Sequence, residues 1–486
     1  MKTLRHGRYT TPVTTILVAL SCLALSGGGE AKQPDEGPIP LTVPKAVCGP
    51  GDHPETGLQG QVPASLRASG FQGFNCNLQL IGQSKGDGAN WQTAEFREGQ
   101  NRICAYHGTA FTTANRTHRG VPVIDITEPS APTPNGYLTS VSMLDPWESL
   151  KTNAQRKLLA ADNGHNGGGG PEVDIYDLSG DCRFPQLLAS VAVGTGTDGG
   201  TVAPVIGHEG SWAPDGLTYY GGSPSQHIYY AVDTADPSAP KLITTWLTPL
   251  RQGVAGFDGA SHGLSISDDG NRGYMVSVGL PASLSALTNP AVAPTNGLLI
   301  YDLSDIQLRK ANPQAKLIST LLWKDGTAAQ HTIPVKIDGK PFLIFVDEGG
   351  SGSITSAAQL QAACAANLSP FPMARIIDIS DEKNPKIVSK LMLEVHNPAN
   401  CAQVLPDPCG PVHFYLRQPL LQRRQQTSCD DIGLWVFQFR NSRVRHPRSA
   451  PSEGDRIFQP GGDNDCQPWV ESRSSRRLGG RRPRLV

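Results

Sequence analysis

Three features of the sequence predict an all-β protein built from repeated four-stranded sheets. A short β-branched run that ends on aspartate and passes into a turn occurs five times. Hairpins turning on Asp-Gly precede three of the copies. Glycine and proline are plentiful, at 53 and 40 of 486 residues, while charged residues make up only 17%. The clearest copy of the run is Gly120-Val-Pro-Val-Ile-Asp125-Ile-Thr-Glu-Pro129. The others end on Asp177, Asp233, Asp302 and Asp378, at spacings of 52, 56, 69 and 76 residues. β-Branched residues suit a pleated strand, and Asp before a Pro or Ser turn accepts backbone N–H groups and ends it. A repeat of strands with loops of variable length means a solenoid or a propeller. Four strands per repeat select the β-propeller, because stacking around a ring buries both faces of every sheet and leaves no terminal sheet bare.

Taken in order, residues 1–27 read as an export signal: Lys2, Arg5 and Arg8 precede the apolar run Val13 to Leu25, which is too short to span a membrane comfortably. Ala19-Leu-Ser-Cys22 loosely resembles a lipoprotein box but opens on Ala rather than Leu, which argues against a lipid anchor at Cys22. Residues 28–63 form a Pro- and Gly-rich lead-in, flexible or wrapped on the surface. Residues 64–408 hold the repeats. Asn77-Leu-Gln-Leu-Ile81 and Arg102-Ile-Cys-Ala-Tyr106 are assigned to the first sheet, and Arg156 to Ala161 to the second. Gly167 to Gly170 is a loop, since no Lys-Ser/Thr follows it as a phosphate cradle requires. Hairpins turn on Asp215-Gly216, Asp269-Gly270 and Asp338-Gly339, each ahead of a signature strand. Outer strands follow the signatures, as in Lys241 to Trp246 and Lys316 to Leu321. The expected ring has six blades when complete, or seven if the region before Cys104 supplies one.

The signature at 123–129 and its copies resemble those of the bacterial LVIVD-repeat proteins, across roughly residues 100 to 400. The resemblance implies a β-propeller of mostly unassigned function and brings no catalytic residues with it.

Residues 409–486 change character. They contain 14 Arg and no Lys, and neither hairpin nor signature appears. A basic tail for acidic surfaces is one reading. The sharper one is a change of reading frame near Pro408-Cys409. Moved forward by one base, the codons of Asn441 to Ala450 are compatible with Ile-Arg-Val-Phe-Asp-Ile-Arg-Asp-Pro, a sixth signature whose Asp falls at about Arg445 and His446. Gly410 to Gln426 then continues the strand pattern of the earlier repeats. On this reading the last blade is lost from the chain and the tail is disordered.

Ten cysteines suit an oxidising compartment, secreted or periplasmic in the cell envelope. Setting aside Cys22 with the signal, and Cys409, Cys429 and Cys466 with the aberrant tail, leaves Cys48, Cys76, Cys104, Cys182, Cys364 and Cys401. None lies in a C-x-x-C pair, so disulfides are favoured over zinc, with Cys364 to Cys401 the first pairing expected. A formal net charge of −1 supplies no field for nucleic acid.

Histidines recur just ahead of the hairpins: Gly207-His208-Glu209-Gly210, Ser261-His262-Gly263 and Gln330-His331-Thr332, with His107 assigned to the equivalent point of the first sheet. Innermost strands line a propeller's channel, so His208, His262 and His331, beside Glu209 or Glu348, can converge on a divalent transition metal. A histidine at a repeated turn also serves as a strand cap, and both roles stand. The signature aspartates are read as turn formers. Asp347 and Glu348 are neighbours on a strand, point to opposite faces and are no acid–base dyad. Two functions follow. One is a module that binds a protein, glycan or small molecule at a propeller end, where the loops at 195–204 and 280–294 are long. The other is a metal-dependent enzyme centred on the histidines.

Overall fold

A computed structural model describes residues 43–405, apart from 67–72, 85–91, 100, 109–117, 165–170, 195–196, 199–200, 203–205, 252–258, 280–288, 290 and 352–356, together with the backbone of 442–445 and 458–459. The signal segment, Cys22, the glycine run at 167–170, most of the two long loops and nearly all of the tail lie outside the described residues.

Twenty strands form five antiparallel four-stranded sheets, each a blade with its strands in chain order from the inside out. Ahead of them come β1 (Phe74–Asn75) and β2 (Gln79–Gln83). Blade one is β3 (Thr93–Glu98), β4 (Arg102–His107), β5 (Val121–Asp125) and β6 (Thr133–Leu138); blade two is β7 (Lys151–Asn153), β8 (Leu158–Asp162), β9 (Val173–Asp177) and β10 (Gln186–Val191). A short hairpin, β11 (Thr197–Asp198) and β12 (Thr201–Val202), separates it from blade three, β13 (Glu209–Trp212), β14 (Thr218–Ser223), β15 (Ile228–Asp233) and β16 (Lys241–Leu247). Blade four is β17 (Leu264–Ile266), β18 (Arg272–Ser277), β19 (Asn296–Asp302) and β20 (Lys316–Trp323). Blade five is β21 (Thr327–Ile337), β22 (Lys340–Gly349), β23 (Ala374–Asp378) and β24 (Lys386–Leu391). The innermost strands β3, β7, β13, β17 and β21 lie against one another in that order, as in a propeller.

The core sits between blades, and strand alternation explains how one sheet serves two neighbours. In blade three Tyr219 and Tyr230 pack toward blade two, with Leu158, Ile175 and Trp212. Their neighbours Tyr220 and Tyr229 face blade four, with Leu264, Met275 and Leu299. Leu298, Val276 and Tyr274, with Trp323 of the same blade, then face Leu343 and Phe345 of blade five. Each such side chain contributes about 1.5–3 kcal/mol on burial. Arginines stitch the rims: Arg156 donates to the carbonyls of Gly216 and Thr234 in the next blade, at 3.0 and 2.6 Å, and Arg272 pairs with Glu382 at 2.6 Å.

All five signature strands end on their aspartate and leave in the same way. Oδ1 of Asp125, Asp177, Asp233, Asp302 and Asp378 accepts the backbone N–H two residues on, at 2.8–3.0 Å. This is the Asx-turn expected from the sequence. In every blade the aspartate pairs with the first residue of the outermost strand. One residue of that strand then bulges out: Asn135, Leu188, Ile243, Ile318 or Val388.

The same register recurs once more. β2 pairs with β25 (Ser442–Arg445), Gln79 opposite Arg445, with the bulge at Ile81. β1 pairs with β26 (Phe458–Gln459). Residues 77–81 therefore do not belong to the first sheet. In each complete blade but the last the outermost strand leads into the innermost strand of the next; β2, which leads into β3, and β25 form a two-stranded sheet with the register of a blade's two outer strands.

Three disulfides pair Cys48 with Cys76, Cys104 with Cys182 and Cys364 with Cys401. The second ties β4 of blade one to the turn after β9 of blade two. The third joins helix Ala357–Ala365 to Cys401 and brackets the blade-five signature. The lead-in from residue 43 onward is wrapped: Val43 donates to the Met392 carbonyl at 2.8 Å, and the Gln59 N–H to Glu394 at 2.7 Å. Among the described residues no helix is long and apolar enough to cross a membrane.

Candidate metal centre

The Gly-His-Glu-Gly segment at 207–210 opens β13 and carries the site. Small residues are needed there, because a Cβ at Gly207 would strike the Asp162 carboxylate and one at Gly210 the Tyr219 hydroxyl. The preceding blade delivers a partner at the same level. Glu148, three residues ahead of β7, forms a parallel bridge with Glu209, and its N–H donates to the His208 carbonyl at 2.9 Å. Its buried carboxylate Oε2 lies 3.6 Å from Nε2 of His208 and 3.8 Å from Nε2 of His262. The two rings meet edge to face, 4.5 Å between centroids, and Trp147 stacks on His208 at 4.8 Å.

One carboxylate oxygen and two imidazole nitrogens thus converge within 4.8 Å of one another. Ligands bound to a cation at about 2.0–2.2 Å sit roughly 3.4 Å apart, so a small contraction closes this set around an ion. The surroundings hold it in place. Nδ1 of His262 lies 3.2 Å from the Gln330 carbonyl and 3.3 Å from Oε2 of Glu209, two acceptors behind the imidazole of the kind that fixes a metal-ligating histidine. The Gln330 amide donates to both oxygens of Glu148, at 2.8 and 3.0 Å. Nδ1 of His331 contacts the other oxygen of Glu209.

Burial, with the nearby Glu209 and Glu348 charges, pushes the Glu148 carboxyl up to about 8 against the pull of His262. Burial and the His262 charge lower His208 to about 3, leaving its ring neutral and its lone pair free to ligate. Burial also works against a charge on His262, but the Glu209 contact and the Glu148 charge outweigh it and raise it to about 9. On Glu209 burial is overcome by His331 and His262, which hold the carboxyl well below the usual range. Lys151, its pKa lowered by burial, also lies near Glu209 and Glu148. A buried carboxyl group and two imidazoles, one of them neutral, are a donor set that suits a divalent cation once Glu148 and His262 give up their protons to it.

Of the residues singled out in the sequence, His208 and His262 belong to this cluster, and Glu209 and His331 stand directly behind it. Glu348, on β22, faces it closely enough for its charge to act on Glu148 and His262. Asp347 beside it turns to the other face, where it is buried against Asn296, Trp323 and Arg375. His107 does not occupy the equivalent point: it ends β4 rather than preceding β3, and its Nδ1 meets Thr93 Oγ1 at 2.6 Å. Glu148 and Gln330 were not foreseen. Glu148 stands before the first strand of blade two, as His208 and His262 stand before theirs. Registering the blades on their inner strands, rather than searching for histidine, finds it. The second acid–cysteine group, Cys48, Asp52 and Cys76, has both sulfurs in a disulfide.

No family model matches the chain, and no curated protein matches it. Among solved structures, the periplasmic gluconolactonase of Pseudomonas aeruginosa aligns at 12% identity and a TM-score of 0.39, over 68% of this chain and 81% of that one. Hydrazine synthase of Kuenenia stuttgartiensis aligns at 11% and 0.37, over 63% and 67%. The β-propeller domain of Cps50 from Myceliophteria thermophila aligns at 11% and 0.33, over 54% and 68%. Likenesses this distant assign no activity, and the propeller is read from the five sheets themselves.

Proposed function

We propose that this chain is an extracytoplasmic, metal-binding β-propeller of the LVIVD-repeat type. Its central site holds one divalent transition metal on Glu148, His208 and His262 and receives a ligand at the coordination position the protein leaves open. One observation carries the reading: two imidazole Nε2 atoms from separate blades face one oxygen of a buried carboxylate from a third, while the Gln330 carbonyl and Glu209 stand behind His262. Two nitrogens and one oxygen favour zinc, copper or nickel over calcium or magnesium, which prefer all-oxygen shells. The three disulfides support the extracytoplasmic location, and the five signatures support the family.

Elemental analysis of the purified chain after exposure to zinc tests the reading. About one equivalent of metal is expected in the wild type, and Glu148→Ala and His262→Ala are each expected to weaken retention by about 100-fold or more. Equal, substoichiometric zinc in wild type and variants, with all of them folded, removes the metal and leaves a binding module.

A further inference from the structure

The two imidazoles of the metal centre are held in different ways. Nδ1 of His262 has the Gln330 carbonyl and Glu209 behind it. Nδ1 of His208 has no such acceptor among the described residues: the ring turns Nε2 to Glu148 at 3.6 Å, and its other ring contacts are the edge of His262 and the face of Trp147. A metal-ligating histidine ordinarily has its second nitrogen tied to an acceptor that fixes the ring. Here an indole stands in that role, its centroid 4.8 Å from that of His208 and its plane tilted by 29°.

Several local features put the indole there. Trp147 sits at φ 45°, in the left-handed region that bulky side chains rarely adopt. Backbone strain of this kind persists where the surroundings enforce it, and it clusters at binding sites. Gly164 leaves room for the ring, since a Cβ there would stand 2.0 Å from Cδ1 and 2.7 Å from Nε1 of Trp147. The segment Asn163-Gly164 also ties both rings to one frame. The Gly164 N–H donates to the Asp145 carbonyl, two residues ahead of Trp147, and the Asn163 carbonyl accepts the N–H of Gly207, next to His208, both at 2.8 Å. The Glu148 N–H closes the frame on the His208 carbonyl at 2.9 Å.

We propose that Trp147 is a positioning residue of the metal centre: its indole face holds the His208 ring toward Glu148 and stabilises the positive charge that the imidazole takes on when a divalent cation binds. A ligating imidazole shares the charge of its cation, and the face of an indole attracts positive charge within about 6 Å of its centroid. The attraction is weaker for the imidazole of the metal-free site, so the stack favours the loaded site over the empty one. Tryptophan gives the largest effect, phenylalanine a smaller one and an aliphatic side chain none. This inference rests on the metal centre proposed above.

The test uses the full chain and zinc, with a competing chelator to report affinity. The chain is produced with tryptophan and with its mono-, di- and trifluoro derivatives, which nearly keep the size of the ring while drawing electrons from its face. Zinc affinity is expected to fall with each fluorine, by about tenfold across the series. All seven tryptophans carry the label, so Trp147→Phe labelled in the same way controls for the rest. It is expected to bind zinc about threefold more weakly than the unlabelled wild type and to show no trend with fluorination. A flat wild-type series overturns the proposal, because an indole that only fills space gives no slope. An equal slope in the variant also overturns it, because the slope then comes from another tryptophan. Should Trp147→Phe fail to fold, Trp147→Tyr takes its place as the control, and a flat wild-type series remains decisive without either. An unlabelled wild type that binds no zinc sinks the metal centre and this inference with it, whereas zinc bound equally across the series sinks this inference alone.

Discussion

Blade five and the pair formed by β2 and β25 use the same backbone register with different chemistry. In blade five Asp378 pairs with Lys386, Val388 bulges out, and the Asp378 carboxylate accepts the Ser380 N–H at 2.8 Å. In the other pair Arg445 stands opposite Gln79, where a signature strand puts its aspartate, and Ile81 bulges. Arginine on a signature strand is not in itself disallowed. Arg375 on β23 is fully buried, yet it pairs with Asp325 and Asp347 and lies 4.4 Å from the Trp323 ring. The difference teaches that register is a property of the ring, set by the outer strand and the blade beside it, while the turn out of the blade is written in the signature residue.

Moving the reading frame by one base after codon 408, the change of frame expected from the sequence, is the largest expected perturbation. A chain shifted by one base after codon 408 is expected to complete the sixth blade and gain on the order of 5 kcal/mol, the burial of a few apolar side chains at about 1.5–3 kcal/mol each. Thermal and urea unfolding of the two chains, side by side, measure it. Equal stability breaks the comparison and leaves β2 and β25 as an incidental pair.

The seam where blade five hands on to the rest of the chain is expected to respond to acid. His396 is buried there. Its Nδ1 accepts the Leu393 N–H at 2.7 Å, and burial lowers its pKa to about 4 against a hydrogen bond to Pro372. The folded state therefore binds fewer protons than the unfolded one between pH 6.5 and 4. Stability falls as pH drops through that window and is level below it. The shift corresponds to a loss of roughly 3 kcal/mol. His396→Gln should remove this part of the pH dependence. Parallel wild-type and variant stability curves from pH 7 to 4 would show that the ring is not the sensor.

Much of this architecture was legible in the sequence because it depends on local rules. The signature aspartates end their strands by a bond two residues long, and the Asp-Gly hairpins at 215, 269 and 338 close on adjacent residues. The convergence of His208 and His262 was legible for a different reason: ring symmetry turns equal positions in the repeat into neighbours in space. What escaped is non-local or irregular. Glu148 shares the level of the histidines without sharing their residue type. Gln330 joins the site only because β21 bulges at it. Residues 77–81 read as a strand of the first sheet because sequence proximity to Arg102 suggested it, whereas their partner lies more than 350 residues away. His107 shares the residue type but ends the second strand of its blade, opposite Thr93, instead of preceding the first.

The smallest effect isolates the signature residue from the ring. Asp125→Ala removes the acceptor for the Thr127 N–H, a bond of 2.9 Å, while β5 keeps its pairing with β4 and β6. Water reaches this turn, so the freed N–H is solvated rather than stranded, and the expected loss is about 1 kcal/mol. Measured by urea unfolding, a loss at Asp125 well above this would mean that the aspartate sets the register as well as the turn. The distinction drawn between blade five and the β2–β25 pair would then fail, because a pair lacking its aspartate should not have kept the register at all.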